Sequence, residues 1–157
     1  MKKLLVVFVL SLSIISCSSD DDNPPVEGNL NASYELKIGG TLISSNNDIP
    51  LGMLLDANSV ATQVSVLERE NAFMMLFTQI PTSLGEIKQL DNDDDVLIAL
   101  TGSKIADYQE NGEAVVIDAG TMTRDANDKV SFTGTFVYNG ITFTTTGFIK
   151  SDGMKNH

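Results

Sequence analysis

Apolar and polar residues alternate with a period of two along most of the chain, which predicts β-strands. The clearest case flanks Asn139-Gly140, a pair preferred in two-residue type I′ turns. This turn pairs residue 136 with 143 and residue 132 with 147, which places the apolar residues on one face and hydroxyl residues on the other. The apolar face carries Val130, Phe132, Phe136, Tyr138, Ile141, Phe143 and Ile149, and the opposite face carries Ser131, Thr133, Thr135, Thr142, Thr144 and Thr146.

Similar patterns predict the remaining strands. Gly39-Gly40 joins residues 34–38 to 41–44 and places Leu36 opposite Ile43. Residues 72–80 are apolar on both faces, which predicts a central strand covered on both sides or one that lines a packed interior. Residues 48–59 fit either a short helix or a buried strand. Further strands are predicted over 60–68, 96–101, 104–108 and 114–123.

Consecutive hairpins of this kind define an all-β fold class. We expect a single antiparallel β domain over residues 32–150, with about eight or nine strands in a β-sandwich or a closed β-barrel. The polar residues 151–157 are predicted to be a disordered tail.

The N-terminal residues have the pattern of an export signal. Lys2 and Lys3 precede an apolar run over residues 4–15, which is short for a transmembrane helix of about 20 residues. A basic start, a short apolar run and small residues at its end predict that residues 1–16 are a signal peptide. Cys17 is the only cysteine, so it has no disulfide partner.

The motif Ile14-Ile15-Ser16-Cys17 resembles the lipobox of bacterial lipoproteins. The resemblance implies cleavage before Cys17 by signal peptidase II and a diacylglycerol thioether on that cysteine. Stable anchoring takes two or more acyl chains, which lipobox chemistry is expected to supply. We therefore expect lipid on Cys17 to attach the chain to a membrane.

Residues 17–31 are predicted to be an acylated acidic tether, because aspartates repel one another and Pro24-Pro25 favours extended backbone. The run Ser18-Ser19-Asp20-Asp21-Asp22 resembles the export signal of surface-exposed lipoproteins in the Bacteroidetes. This resemblance implies an outer-membrane protein at the cell surface. A spacer on a periplasm-facing lipoprotein is the alternative.

Residues 113–150 resemble the C-terminal half of small uncharacterised Bacteroidetes lipoproteins. The matching motifs are Gly120-Thr121-Met122-Thr123, Thr133-Gly134-Thr135-Phe136 and Gly147-Phe148, in that order. Residues 34–40 resemble the opening strand of those proteins, and residues 81–87 resemble one of their loops. The resemblance implies a β fold on a lipid tether and carries no known active site.

The chain is strongly acidic, with a net charge of −11. Removing residues 1–16 takes away two of the 10 basic residues and no acids, which leaves 8 basic and 21 acidic residues and a net charge of −13. Binding to nucleic acid needs clustered Lys and Arg at the phosphates, so nucleic acid is excluded as a partner.

No residue pattern predicts a catalytic site. The only histidine, His157, ends a polar tail, whereas a nucleophilic triad needs a positioned imidazole. Zinc sites use Cys and His, and Cys17 is assigned to lipid. An enzyme is therefore not expected.

One acidic cluster has ligand chemistry. Asp91, Asp93 and Asp95 are candidate calcium ligands, because oxygen donors at alternate positions suit Ca²⁺. The sixth and twelfth positions of an EF-hand loop would be Val96 and Gly102 instead of Gly and Glu, so that motif is excluded. A solvated turn is the alternative, and no cofactor is expected beyond the covalent lipid.

These features favour a non-enzymatic binding or accessory module at the cell surface, with an envelope protein as its partner. The alternative is a small-molecule carrier with an apolar barrel interior, in which a small ligand is the partner.

We expect Cys17→Ala to block processing by signal peptidase II and to release the domain from membranes once another peptidase has cut it. The thioether then has no attachment point. Membrane fractionation and palmitate labelling measure this, with Ser18→Ala as a control that keeps the cysteine. A Cys17→Ala chain that fractionates and labels like the natural chain contradicts lipidation at this residue.

Overall fold

The structure, a computed structural model, describes residues 31–70, 72–91, 96–117 and 119–156. Its strands, numbered β1 to β10 in chain order, are Asn31–Ile38, Thr41–Leu55, Ala61–Glu68, Phe73–Phe77, Ile87–Leu90, Ile98–Thr101, Val115–Ile117, Ala119–Ala126, Lys129–Tyr138 and Ile141–Lys150. Two 3₁₀ helices, Ser103–Tyr108 and Asp152–Asn156, complete the secondary structure of this part of the chain.

The strands form one antiparallel sheet with the order β5-β8-β9-β10-β1-β2-β3-β4-β6-β7. The predicted all-β, antiparallel class is confirmed. Within the described residues the order ends at β5 and β7, so the sheet is not a closed barrel. The count of ten exceeds the expected eight or nine, because alternation alone does not reveal β5 and does not separate β7 from β8.

Strand β2 changes its hydrogen-bonding partner at Pro50. Its residues up to Pro50 pair with β1, and those from Leu51 to Leu55 pair with β3. Proline has no N–H to donate, so it is tolerated where one ladder ends and another begins. The ambiguous segment 48–59 is therefore strand as far as Leu55. We call β5, β8, β9, β10, β1 and β2 to Pro50 the first half-sheet, and β2 from Leu51, β3, β4, β6 and β7 the second.

Aromatic side chains from the two half-sheets meet in the interior. The rings of Tyr34 on β1 and Phe73 on β4 stack with their centroids 5.5 Å apart. The rings of Phe77 on β4 and Phe132 on β9 meet edge to face at 5.4 Å. Such aromatic pairs dominate the energetics of a core, so these contacts hold the half-sheets together.

The register predicted for the last hairpin is confirmed. Phe136 pairs with Phe143 and Phe132 pairs with Gly147, and the turn residues at 139 and 140 have φ angles of 49° and 75°. On the apolar face Phe132 and Phe136 are buried and Phe143 is half-buried, although Ile141 beside the turn is exposed. On the other face Thr133, Thr142 and Thr144 are exposed and Thr135 is half-buried.

The strand predicted over 114–123 is two strands in different half-sheets. β7 ends at Ile117 and pairs with β6, whereas β8 begins at Ala119 and pairs with β9. Gly120 has a φ of 140°, and a Cβ there would lie 2.2 Å from the carbonyl oxygen of Thr133. Only glycine lets β8 approach β9 this closely.

A β-bulge changes the register expected for the first hairpin. Leu36 pairs with Ser44, because the ladder skips Ile43 between Ser44 and Leu42. The expected Leu36–Ile43 pair is therefore wrong. The shift directs Ser44 inward, where it is 4% exposed, so a hydroxyl group enters the core.

The strand predicted over 104–108 is also wrong, because these residues belong to the 3₁₀ helix Ser103–Tyr108. Ile105 is buried and Tyr108 packs against the core. Three residues apart, they lie on one side of a helix that has three residues per turn. In a segment of five residues, a hydrophobic repeat of three residues, as in a 3₁₀ helix, cannot be distinguished from the two-residue repeat of a strand.

The prediction of a disordered tail is wrong for residues 151–156. Ser151 is 3% exposed and Met154 is 0% exposed. The buried guanidinium of Arg124 donates to the carbonyl oxygens of Met154 at 2.7 Å and Asn127 at 2.6 Å. A buried cation needs such acceptors, so Arg124 fixes the tail beside β8.

We expect Phe136→Ala to lower the free energy of unfolding by about 3–5 kcal/mol, because it removes a buried ring. That ring contacts Tyr108 and Phe143. Thr144→Ala, on the exposed face of the same hairpin, should cost under about 1 kcal/mol. Urea unfolding measures both values, and equal costs would contradict the assignment of the two faces.

Candidate functional site

Most of the sites inferred from the sequence lie outside the described residues. Cys17, the run at residues 18–22, Asp93 and Asp95 belong to this group. Their roles in lipidation, export and calcium binding stay predictions.

Asp91 is the calcium candidate that the structure describes. Its backbone N–H donates to the carbonyl oxygen of Val96 at 3.0 Å. Asp91 and Lys88 line one open groove of about 460 Å³, and a neighbouring ammonium group is unfavourable for a cation. Within the four described ranges, no three residues of the His, Cys, Asp and Glu types gather as metal ligands.

A largely buried polar cluster joins Tyr34, Ser44, Glu68 and Lys104. The hydroxyl oxygens of Tyr34 and Ser44 lie 2.6 Å apart, and Tyr34 also donates to Glu68 Oε2 at 3.1 Å. Lys104 Nζ donates to Ser44 Oγ at 3.1 Å and forms an ion pair with Glu68 at 2.8 Å. One side chain comes from each of β1, β2, β3 and the first 3₁₀ helix, so the cluster joins four elements.

Burial raises the pKa of Tyr34 to about 12. The hydrogen bond with Ser44 lowers this pKa, whereas the negative charge of Glu68 raises it further. Tyr34 therefore keeps its proton and remains a donor to Glu68 over the physiological pH range.

A serine beside a lysine is a combination that some hydrolases use as nucleophile and base. Here Lys104 is paired with Glu68, and an ammonium group has no lone pair to accept the proton of Ser44. Ser44 is also only 4% exposed, which restricts its contact with a substrate. The geometry favours a structural role, in which the cluster ties the 3₁₀ helix to both half-sheets.

The outward side of the second half-sheet carries no charged residue at its ten aligned positions. We call this surface the uncharged face. Its register aligns three rows across the strands. The first row is Leu67, Met74 and Thr101 with Pro50 beside Leu67, the second is Gly52, Ser65, Leu76, Ala99 and Val116, and the third is Leu54 and Gln63. Since charged residues make up 20% of the chain, their absence here is a distinctive feature.

Aliphatic side chains are exposed on the uncharged face. Leu54 is 56% exposed, Leu67 is 46% exposed and Val116 is 39% exposed. Leu76 and Ala99 are buried but do not belong to the central core, so they form an apolar base for this face. Exposed apolar patches of this kind mark interaction surfaces when they are contiguous.

The outward side of the first half-sheet has a different composition. Threonines from β8, β9 and β10 lie there beside charged residues. Lys37 pairs with Glu35 at 2.6 Å, and Lys129 pairs with Asp125 at 3.2 Å. Exposed aliphatic residues occur on this side too, as at Val137, which is 69% exposed, but charged groups lie among them. The two sides therefore differ in charge.

An open groove of about 320 Å³ borders the uncharged face at Pro50 and Leu67. We call it the acidic groove, because its charged lining is Asp48, Glu68, Glu70 and Arg69. Glu68 is paired with Lys104, so Asp48 and Glu70 against Arg69 leave an excess of one negative charge beside an aliphatic surface.

The sequence of β4 contains the signal for the uncharged face. Residues 72–80 predict a strand covered on both sides or lining an interior, since their apolar residues occupy both faces. In the structure Phe73, Met75 and Phe77 enter the core. Met74 and Leu76 point away from it, onto the uncharged face. Two of the five apolar side chains of β4 therefore lie outside the central core.

We expect the stability of the natural chain to fall more steeply between pH 10 and 12 than that of Tyr34→Phe. The pKa of Tyr34 is about 12 in the folded chain against an ordinary 10.0, so the folded state holds this proton more tightly. The resulting stability is fully present below pH 10 and is lost as the pH rises through 12. Urea unfolding over this range measures it, with Tyr138→Phe as a control for loss of one phenol. Parallel pH profiles for the natural and Tyr34→Phe chains would contradict the burial of the Tyr34 hydroxyl.

No family model, curated protein or solved structure matches the chain. Among the described residues, no helix is long and apolar enough to cross a membrane.

Proposed function

We propose that the chain is a lipid-anchored lipoprotein of the outer membrane, displayed at the cell surface, that acts as a non-enzymatic binding module. The lipobox-like motif at Cys17, the acidic run at residues 18–22 and the lack of any second cysteine support the location. In this proposal the covalent lipid is the only cofactor, and an envelope protein is the partner.

The uncharged face is the observation that carries the binding role. Charged residues make up 20% of the chain, yet the ten aligned positions of this face hold none. Covering Leu54, Leu67 and Val116 would remove apolar surface from water at about 25 cal/mol per Å². A partner that covers this face gains free energy that the isolated domain leaves unused.

The filled interior supports this role over that of a small-molecule carrier. Phe77 and Phe132 meet between the half-sheets, where a carrier would hold its ligand. We infer a sandwich-like packing of the two half-sheets, with binding on an outer surface. Nucleic acid is not a partner in this proposal, because the chain is acidic throughout.

Cysteine labelling on intact cells tests both location and binding. Leu67→Cys places a thiol on the uncharged face, and Val137→Cys is a matched control on the other half-sheet, where Val137 is 69% exposed. If Cys17 carries lipid, each variant has one free thiol. We expect a membrane-impermeant maleimide to label Val137→Cys on intact cells but not Leu67→Cys, and to label both once each lipoprotein has been purified.

The other outcomes separate the parts of the proposal. Equal labelling of both variants on cells shows that the uncharged face is free, which contradicts the binding role. Labelling of Val137→Cys only after the outer membrane is permeabilised contradicts surface display and supports the periplasm-facing alternative.

A further inference from the structure

We propose that the partner docks an amphipathic helix across the uncharged face, with an aliphatic stripe against β2, β3, β4, β6 and β7 and a Lys or Arg in the acidic groove. This inference rests on the proposed binding function and deepens it. Three properties of the surface support it, namely its dimensions, its relief and the charge at its border.

The dimensions of the uncharged face suit one helix. Strands lie about 4.8 Å apart and alternate residues about 6.8 Å apart along a strand. The middle row, which crosses all five strands, is therefore about 19 Å long, and the three rows together are at most about 14 Å wide. A helix with its side chains is about 10–12 Å wide, and about 13 residues rise through 19 Å. One helix of three to four turns therefore covers the face from β2 to β7.

The relief of the face suits a rounded ligand. Small residues occupy much of the middle row, with Gly52, Ser65 and Ala99 on β2, β3 and β6. A Cβ at Gly52 would lie 2.5 Å from Ser65 Oγ, so the serine hydroxyl already covers the glycine. Larger side chains, Leu67 and Leu54, stand on the two sides of this row. Gly52 and Ser65 therefore form a shallow depression on β2 and β3 between these leucines. Leu76 and Val116 continue the same row with apolar side chains, and a helix can place its apolar stripe along it.

The charge at the border selects a basic partner. Asp48 and Glu70 line the acidic groove next to Leu67, and only Arg69 offsets them there. A Lys or Arg on the flank of the docked helix reaches this groove and gains from the negative charge. An acidic helix with the same apolar stripe meets repulsion instead.

The same observations disfavour a second copy of the chain as the occupant. Two processed copies would each bring a charge of −13 and an acidic groove to the contact. The face has a flat area of only about 270 Å² from its strand spacings. A stable interface buries about 800 Å² per partner, so a face of this size suits a single helix better than a whole domain.

Synthetic peptides test the inference directly on the full purified lipoprotein. Three helical peptides of about 16 residues share one length: a Leu stripe flanked by Lys, the same stripe flanked by Glu, and Lys flanks with a Ser stripe. Fluorescence anisotropy measures the dissociation constants. We expect the first peptide to bind at least about tenfold more tightly than either of the others, with an advantage over the Glu peptide that shrinks at high salt.

Matched variants locate the binding. Leu67→Ser should weaken binding of the Leu–Lys peptide by about tenfold, because it removes an aliphatic contact. Val137→Ser, an exposed aliphatic position outside the face, should leave it unchanged. Glu70→Gln should reduce the preference for Lys over Glu flanks without altering the requirement for leucine. Thermal unfolding checks that all three variants keep the natural fold.

Several results would overturn the inference. One is that the Lys-flanked and Glu-flanked peptides bind with equal affinity. Another is that Leu67→Ser leaves the affinity for the Leu–Lys peptide unchanged. Dimers in sedimentation that Leu67→Ser dissolves would assign the face to a second copy, and Leu67-dependent binding to phosphatidylglycerol vesicles would assign it to lipid. If Leu67→Cys is protected from labelling on cells but none of the peptides binds, the proposed binding function is supported and the proposed helical partner is contradicted.

Discussion

The change of partner within β2 determines the shape of the molecule. This strand is 15 residues long, and no single ladder uses all of it. Because Pro50 ends the pairing with β1 just where pairing with β3 begins, one continuous segment joins two half-sheets that can face each other. The aromatic contacts of Tyr34 with Phe73 and of Phe77 with Phe132 depend on that arrangement. The outward orientation of the uncharged face depends on the same arrangement.

Polar and apolar groups have separate roles in this arrangement. The buried cluster around Ser44 satisfies a hydroxyl, a carboxylate and an ammonium group among themselves, which limits the cost of placing them inside. Glu68 belongs both to this cluster and to the lining of the acidic groove. The structural cluster thus fixes one wall of the groove, and the binding surface proposed here has a rigid border. Rigid surfaces lose less conformational entropy when they bind.

Local patterns predicted some parts of the fold well. The last hairpin was predictable because the preferred turn pair and the alternation specify the same register. The bulge at Ile43 was not, since the burial of Ser44 depends on Glu68 and Lys104, which are distant in the sequence. The folded tail depends in the same way on Arg124. The uncharged face is assembled by the register of five strands, and its residues, such as Leu67 and Val116, are ordinary when each is seen in its own segment.

The candidate sites fall into two groups, those that a short sequence motif indicates and those that only the folded chain assembles. Cys17 and the acidic run at residues 18–22 are inferred from short motifs, and their roles stay predictions. The calcium hypothesis at Asp91 also came from local spacing, and the structure shows that Lys88 lines the same groove. The polar cluster and the acidic groove combine residues from separate strands, so their chemistry exists only in the folded chain.

The position of β1 has a mechanical consequence. This strand follows the segment proposed to carry the lipid, and it lies between β10 and β2 instead of at an edge of the sheet. Its first residue, Asn31, accepts a hydrogen bond from Ser151 of the tail at 2.8 Å. A force that enters the domain at Asn31 pulls β1 along its own axis, so the backbone hydrogen bonds on both of its sides resist together in shear. An edge strand loaded in the same direction would be held by the hydrogen bonds of one side only, so the central position of β1 strengthens the attachment of the domain to whatever precedes Asn31.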